Sequence, residues 1–197
     1  MKSNVCKIEN GNKDLEAILK ESENVANYNG FTQKQALQLR LLCEEIDGLL
    51  PNIIDEFDGE FWIEYDKGVC KLNLAIKIAE FSASKKKELI NVAKNKKNAA
   101  ATGIIGKLRS AIEDFFLGND TLQSYGMSLE YYHMAYGVNY DNAHLWSLDQ
   151  YKNVVQQEKD EVAYDELEKS IIAAIADDVV VGVKGRQATV VITKKFA

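Results

Sequence analysis

Two carboxylates stand side by side on the most regular helical stretch of the sequence. Glu44 and Glu45 fall within residues 31–50, next to or on the edge of an apolar stripe. A carboxylate there is either a solvated charge or a group aimed into a pocket, where a tuned carboxylate can act as a general base. Gly103 and Gly106 open a second predicted helix, and backbone N–H groups at such a turn can hold an anion. Lys96, Lys97 and Lys107 stand beside them. An anion site built from Lys96, Lys97, Gly103, Gly106 and Lys107 is therefore a candidate, set against a helix start packed closely on a sheet. His133 and His144 have neither ligand-like spacing nor a partner cysteine, so no metal site is predicted. Cys6, Cys43 and Cys70 are an odd count in apolar stretches and read as small buried hydrophobes in a reducing compartment. No Ser–His–Asp arrangement is legible.

These groups need elements to position them. Thr32 and Gln35 have capping-box spacing at the start of the central helix, and Phe31 stands where it can staple onto Ala36. Ala36, Leu39, Leu42/Cys43, Ile46 and Leu49/Leu50 recur every three or four residues, which predicts one buried stripe. Pro51 is the only proline and predicts the helix stop. Before it, residues 4–9 predict a short strand with Val5 and Ile8 partly buried, and 13–28 predict a helix ended by Asn29-Gly30. After it, 55–60 read as an acidic loop. Residues 61–65 and 69–78 read as strands joined by Asp66-Lys67-Gly68, a hairpin signal. In the second strand Cys70, Leu72, Leu74, Ile76 and Ile78 share one face. Helices are predicted over 85–94 and 104–117. Residues 121–163 are rich in tyrosine and read as an irregular insertion with one or two short helices, one near 147–157. Asp165 and Glu168 repeat the capping-box spacing and predict a helix over 166–176, with Leu167, Ile171 and Ala174/Ile175 buried. Residues 179–183 and 188–193 predict a closing hairpin around Lys184-Gly185-Arg186. Strands come in adjacent pairs without strand–helix–strand alternation. That predicts an α+β two-layer sandwich, a mostly antiparallel sheet with helices on one face, formed by residues 1–197 as a single domain.

Composition narrows the classes. The chain has 197 residues, 46% apolar and 27% charged, enough for a core without disulfides or metals. Net charge of −6 argues against a general nucleic-acid surface, and the tyrosines lack the basic neighbours that base-stacking sites carry. No stretch approaches the roughly 20 apolar residues that span a bilayer. No apolar run follows Met1-Lys2-Ser3-Asn4, so no signal peptide is predicted and the expected location is the cytoplasm.

Asn29-Gly30-Phe31, then Leu39-Arg40-Leu41-Leu42-Cys43-Glu44-Glu45, then a hairpin, and a last hairpin ending in Lys194-Lys195-Phe196 form a recognisable order. It resembles the GHKL (histidine-kinase-like) ATPase superfamily, and looks closest to the small bacterial anti-sigma-factor serine kinases. The resemblance implies a histidine-kinase-like ATPase fold, ATP with Mg²⁺ as ligands, and Glu45 as the general base or water-orienting group. It places Glu80 where the family has the aspartate that reads the adenine amino group, though both glycines of that motif are missing. It places Thr102-Gly103-Ile104-Ile105-Gly106-Lys107 at the phosphate-cradling turn, with the Lys94, Lys96 and Lys97 cluster in the region of the ATP lid. The family's magnesium-holding asparagine is Leu49 here, and leucine cannot ligate a cation that wants oxygen. These departures imply a regulatory protein on a degenerate scaffold, without efficient ATP hydrolysis, that binds a protein partner as an anti-sigma factor does, with a dimer compatible. The alternative is a divergent ATP-binding serine kinase or ATPase.

Overall fold

Apolar and polar residues alternate through the strands, and the alternation builds one sheet. A computed structural model of the chain describes residues 1–9, 15–49, 57–78, 143–159, 161–184 and 187–196. Strands β2 (Phe57–Asp66) and β3 (Val69–Ile78) pair antiparallel along their whole length. Lys67 and Gly68 connect them, both left-handed, with φ of 45° and 84°. Two consecutive left-handed residues are the two-residue turn that suits strand twist. Strand β1 (Cys6–Glu9) pairs with β2 on its other side. Strands β5 (Asp178–Lys184) and β6 (Gln187–Lys195) form the closing hairpin, and β6 lies against β3. Strand β4 (Ala143–Ser147) pairs with β5 at the far edge. The order is β1-β2-β3-β6-β5-β4, and every neighbouring pair is antiparallel.

One face of this sheet is the core. Phe61, Ile63, Cys70, Leu72, Leu74, Ile76, Val179, Val181, Ala188, Val190 and Ile192 point into it and are buried. Helices α1 (Leu15–Tyr28) and α2 (Gln33–Leu49) join the same cluster through Ile18, Val25, Leu39, Leu42, Cys43 and Ile46. Helices α3 (Leu148–Glu158), α4 (Glu161–Lys169) and α5 (Ile171–Ile175) follow β4, and Leu148 and Ile172 bury beside the rest. Each buried valine, leucine, isoleucine or phenylalanine among them contributes about 1.5–3 kcal/mol by leaving water. Register partners of the opposite parity, among them Lys7, Asp58, Glu60, Lys71, Lys77 and Gln187, are exposed. The fold is α+β, an antiparallel sheet with helices on its apolar face.

Four expectations need correction. Residues 57–60 are strand, because pairing with both β1 and β3 gives that acidic stretch its backbone partners. Val5 is exposed while Cys6 and Ile8 are buried, since the pleat sends alternate residues to opposite faces. The stretch predicted as one helix over 166–176 is split. Helix α4 starts at Glu161, so Asp165 lies inside it and pairs with Lys169 instead of capping. Ser170 is extended and accepts from the Ala173 N–H at 3.2 Å, opening α5. That break turns the stripe: Ile172 is 0% exposed and Ile171 is 40% exposed. Finally, the aromatic-rich region contributes an edge strand, β4, before the helix capped by Ser147. The helices predicted over 85–94 and 104–117, and residues 121–142, lie outside the described residues.

Candidate functional site

Helix α2 is fixed at its start by a reciprocal cap. The Thr32 N–H donates to Gln35 Oε1 at 2.9 Å, and the Gln35 N–H donates to Thr32 Oγ1 at 3.3 Å. Phe31 packs its ring against Tyr65 and Phe196, with centroids 5.3 and 4.7 Å away. These contacts tie the entry of α2 to the β2–β3 hairpin and to the end of β6.

The rest of α2 presents its charged edges differently. Arg40 donates to Glu23 of α1 at 2.9 Å and to Glu44 at 3.1 Å. Glu44 is thus engaged on the α1 side. The next residue turns 100° further round the helix, to the edge away from that ion-pair network. Glu45 there is half-buried and has no ion pair among the described residues. Burial raises its carboxyl pKa above the ordinary value, and the neighbouring Glu44 charge raises it further. A carboxylate so placed holds a proton more readily than a solvated one, which is the property a general base needs.

Among the described residues, nothing beside Glu45 completes a magnesium site. Helix α2 runs unbroken to Leu49, so position 49 falls one turn past Glu45 and offers no oxygen. Among the described residues no group of three or more His, Cys, Asp or Glu is arranged to hold a metal. The three cysteines are buried and form no disulfide with one another. Burial pushes the Cys43 thiol well up and the Cys70 thiol up to about 12, so neither is a thiolate nucleophile at neutral pH.

Of the candidate site residues, Glu45 alone lies within the described part. Glu80, Lys96, Lys97, Gly103, Gly106 and Lys107 lie outside the described residues. Two charged features escaped the sequence reading. Asp178 accepts from the N–H groups of Asp149 and Val179 at 3.3 and 2.8 Å, helping Ser147 cap α3, and burial raises its pKa. The Asp-Asp pair at 177–178, just before a valine run, is the signal that could have found it. On the sheet face opposite the described helices, Lys7, Asp58, Gly59, Glu60, Ala75, Lys77 and Gln187 line a hollow of about 280 Å³. Trp62 lies on that face too, its Nε1 donating to Glu64 at 2.9 Å and Lys2 standing 4.6 Å from its ring.

No protein-family model matches the chain, and neither a curated protein nor a solved structure is significantly similar to it. No helix among the described residues is long and apolar enough to cross a membrane.

Proposed function

We propose that the chain is a cytoplasmic regulatory protein that works by binding another protein, on a scaffold resembling the anti-sigma branch of the GHKL ATPases, without efficient ATP hydrolysis. One observation carries this. Helix α2 keeps the half-buried Glu45 at its edge but has Leu49 one turn further on, where a nucleotide-bound magnesium would need an oxygen ligand. The six-stranded antiparallel sheet with helices on one face is compatible with that scaffold. A base without its metal has no polarised phosphate to act on, so what the scaffold retains is shape and surface.

A second reading is a divergent ATP-binding serine kinase or ATPase. The raised pKa of Glu45 favours it, because burial is how a carboxylate is tuned toward proton transfer. Thermal unfolding with Mg-ATP and with Mg-ADP separates the two. Ligand at about a hundred times its dissociation constant stabilises by about 2.7 kcal/mol. No shift at millimolar nucleotide is the expected result. A shift abolished by Lys97→Ala and by Gly103→Val would revive the enzyme reading instead.

A further inference from the structure

The turn that ends α1 holds a reactive sequence in an unreactive shape. In Asn29-Gly30 the peptide nitrogen of Gly30 has no Cβ beside it, so it can reach the Asn29 side-chain carbonyl carbon and close a succinimide ring. Asn24 and Asn27 precede Val25 and Tyr28, whose side chains obstruct that approach. Gly30 has a φ of 66° and takes the left-handed position just past the helix. Its N–H donates to the Asn27 carbonyl at 3.3 Å, and the Phe31 N–H donates to the Ala26 carbonyl at 2.9 Å. These are the paired bonds of a Schellman cap. The Asn29 carboxamide is held as well. Its Nδ2 donates to the Val25 carbonyl at 2.7 Å and lies 3.2 Å from the Met1 sulfur. Ring closure needs both groups released. The Gly30 nitrogen must leave Asn27 and give up its proton, and the carboxamide must turn away from Val25.

We propose that Asn29-Gly30 is a spontaneous deamidation site, locked while the α1 cap is closed, and that its product keeps the cap open. The Gly30 nitrogen gives its proton to hydroxide and bonds to the Asn29 Cγ. The Cγ–Nδ2 bond breaks, and Nδ2 takes a proton from water and leaves as ammonia. Water then opens the ring at either carbonyl, leaving aspartate or isoaspartate at position 29. Neither product closes the cap again. A carboxylate only accepts hydrogen bonds, and it would face the Val25 carbonyl at the helix end where negative charge is disfavoured. Isoaspartate also adds a carbon to the main chain, so the Gly30 and Phe31 N–H groups no longer match the Asn27 and Ala26 carbonyls. Phe31 leads into α2 with its ring against Tyr65 and Phe196, so the entry of α2 loosens with the cap. The conversion consumes only water, runs one way, and is independent of whether the chain binds nucleotide.

Two measurements on the whole chain test it. The first follows the peptide carrying Asn29 by mass spectrometry in mildly alkaline buffer, with the chain native and in concentrated urea. Amide hydrogen exchange of Gly30 is recorded alongside in the native protein. Asn29 should convert more slowly in the native chain, by the factor that protects the Gly30 amide from exchange, because both processes need the same opening. Asn29→Gln, whose longer side chain disfavours the ring, should abolish the conversion of that peptide in urea. The second measurement uses Asn29→Asp to stand for the product. Exchange at Gly30 and Phe31 should be about tenfold faster than in the wild type, with the β3 amides unchanged. The proposal is overturned if native Asn29 converts as fast as in urea, or far more slowly than the measured openings allow. It is equally overturned if the peptide still converts in Asn29→Gln, or if Asn29→Asp leaves the Gly30 amide as protected as before.

Discussion

Single residues hold the ends of elements, and their cost is readable from geometry. Gly68 has a φ of 84°, and a Cβ there would lie 2.8 Å from the Phe196 carbonyl oxygen. Gly68→Ala should cost about 1–2 kcal/mol from the left-handed conformation alone, with the contact adding to it, read as a lower urea midpoint. Thr32→Ala removes one acceptor of the reciprocal cap and should cost about 1 kcal/mol. Glu45 makes a prediction with a sign. Its folded pKa lies above the unfolded one, so the folded state keeps its proton to higher pH. Stability falls as pH rises between the two values, and a constant cost remains above both. Glu45→Gln should therefore raise the urea midpoint at neutral pH, with the gain vanishing as the pH falls below about 4. A difference between the two proteins that ignores pH would show that burial is not what sets this carboxyl.

At the scale of elements, α2 packs against both α1 and α5 within the shared core. Leu39, Leu42, Cys43 and Ile46 are all fully buried along it. Leu42→Ala should cost about 2–5 kcal/mol, the range for an unfilled core leucine, measured by chemical denaturation. Much of this was legible before any coordinates. The α2 stripe, the Thr32–Gln35 cap and the Lys67–Gly68 turn follow from local spacing, which residues close in sequence settle among themselves. What escaped depended on distant neighbours. Asp58, Gly59 and Glu60 look like loop by composition, and only pairing to β1 and β3 makes them strand. Strand β4 is short, and its strand neighbour among the described residues, β5, arrives some 30 residues later. The split at Ser170 was hidden because an extended serine inside a helical pattern leaves the apolar count unchanged while rotating which isoleucine is buried. At the candidate site the carboxylate pair on α2 was legible, because helical spacing put Glu44 and Glu45 beside the apolar stripe, about 100° apart. The Arg40 pairing that separates their roles reaches across to Glu23 on α1.

Across the whole molecule, the sheet is paired from inside outward. Strands β3 and β6 lie at the centre of the order and carry Leu72, Leu74, Val190 and Ile192 into the core, whereas β1 and β4 end the order among the described residues. Hydrogen exchange should therefore be slowest in β3 and β6 and fastest, among the strands, in β1 and β4. The proposed function turns on Leu49, one turn past Glu45, where the resemblance puts a magnesium-holding asparagine. On that reading the helix supplies no side-chain oxygen for the cation there, and the chain transfers no phosphate. The direct measurement is phosphate release from ATP with Mg²⁺ under single-turnover conditions, protein in excess, for the wild-type chain and for Glu45→Gln. The account predicts that both release no more phosphate than buffer alone. Release by the wild type that disappears in Glu45→Gln would contradict it and make Glu45 a working base.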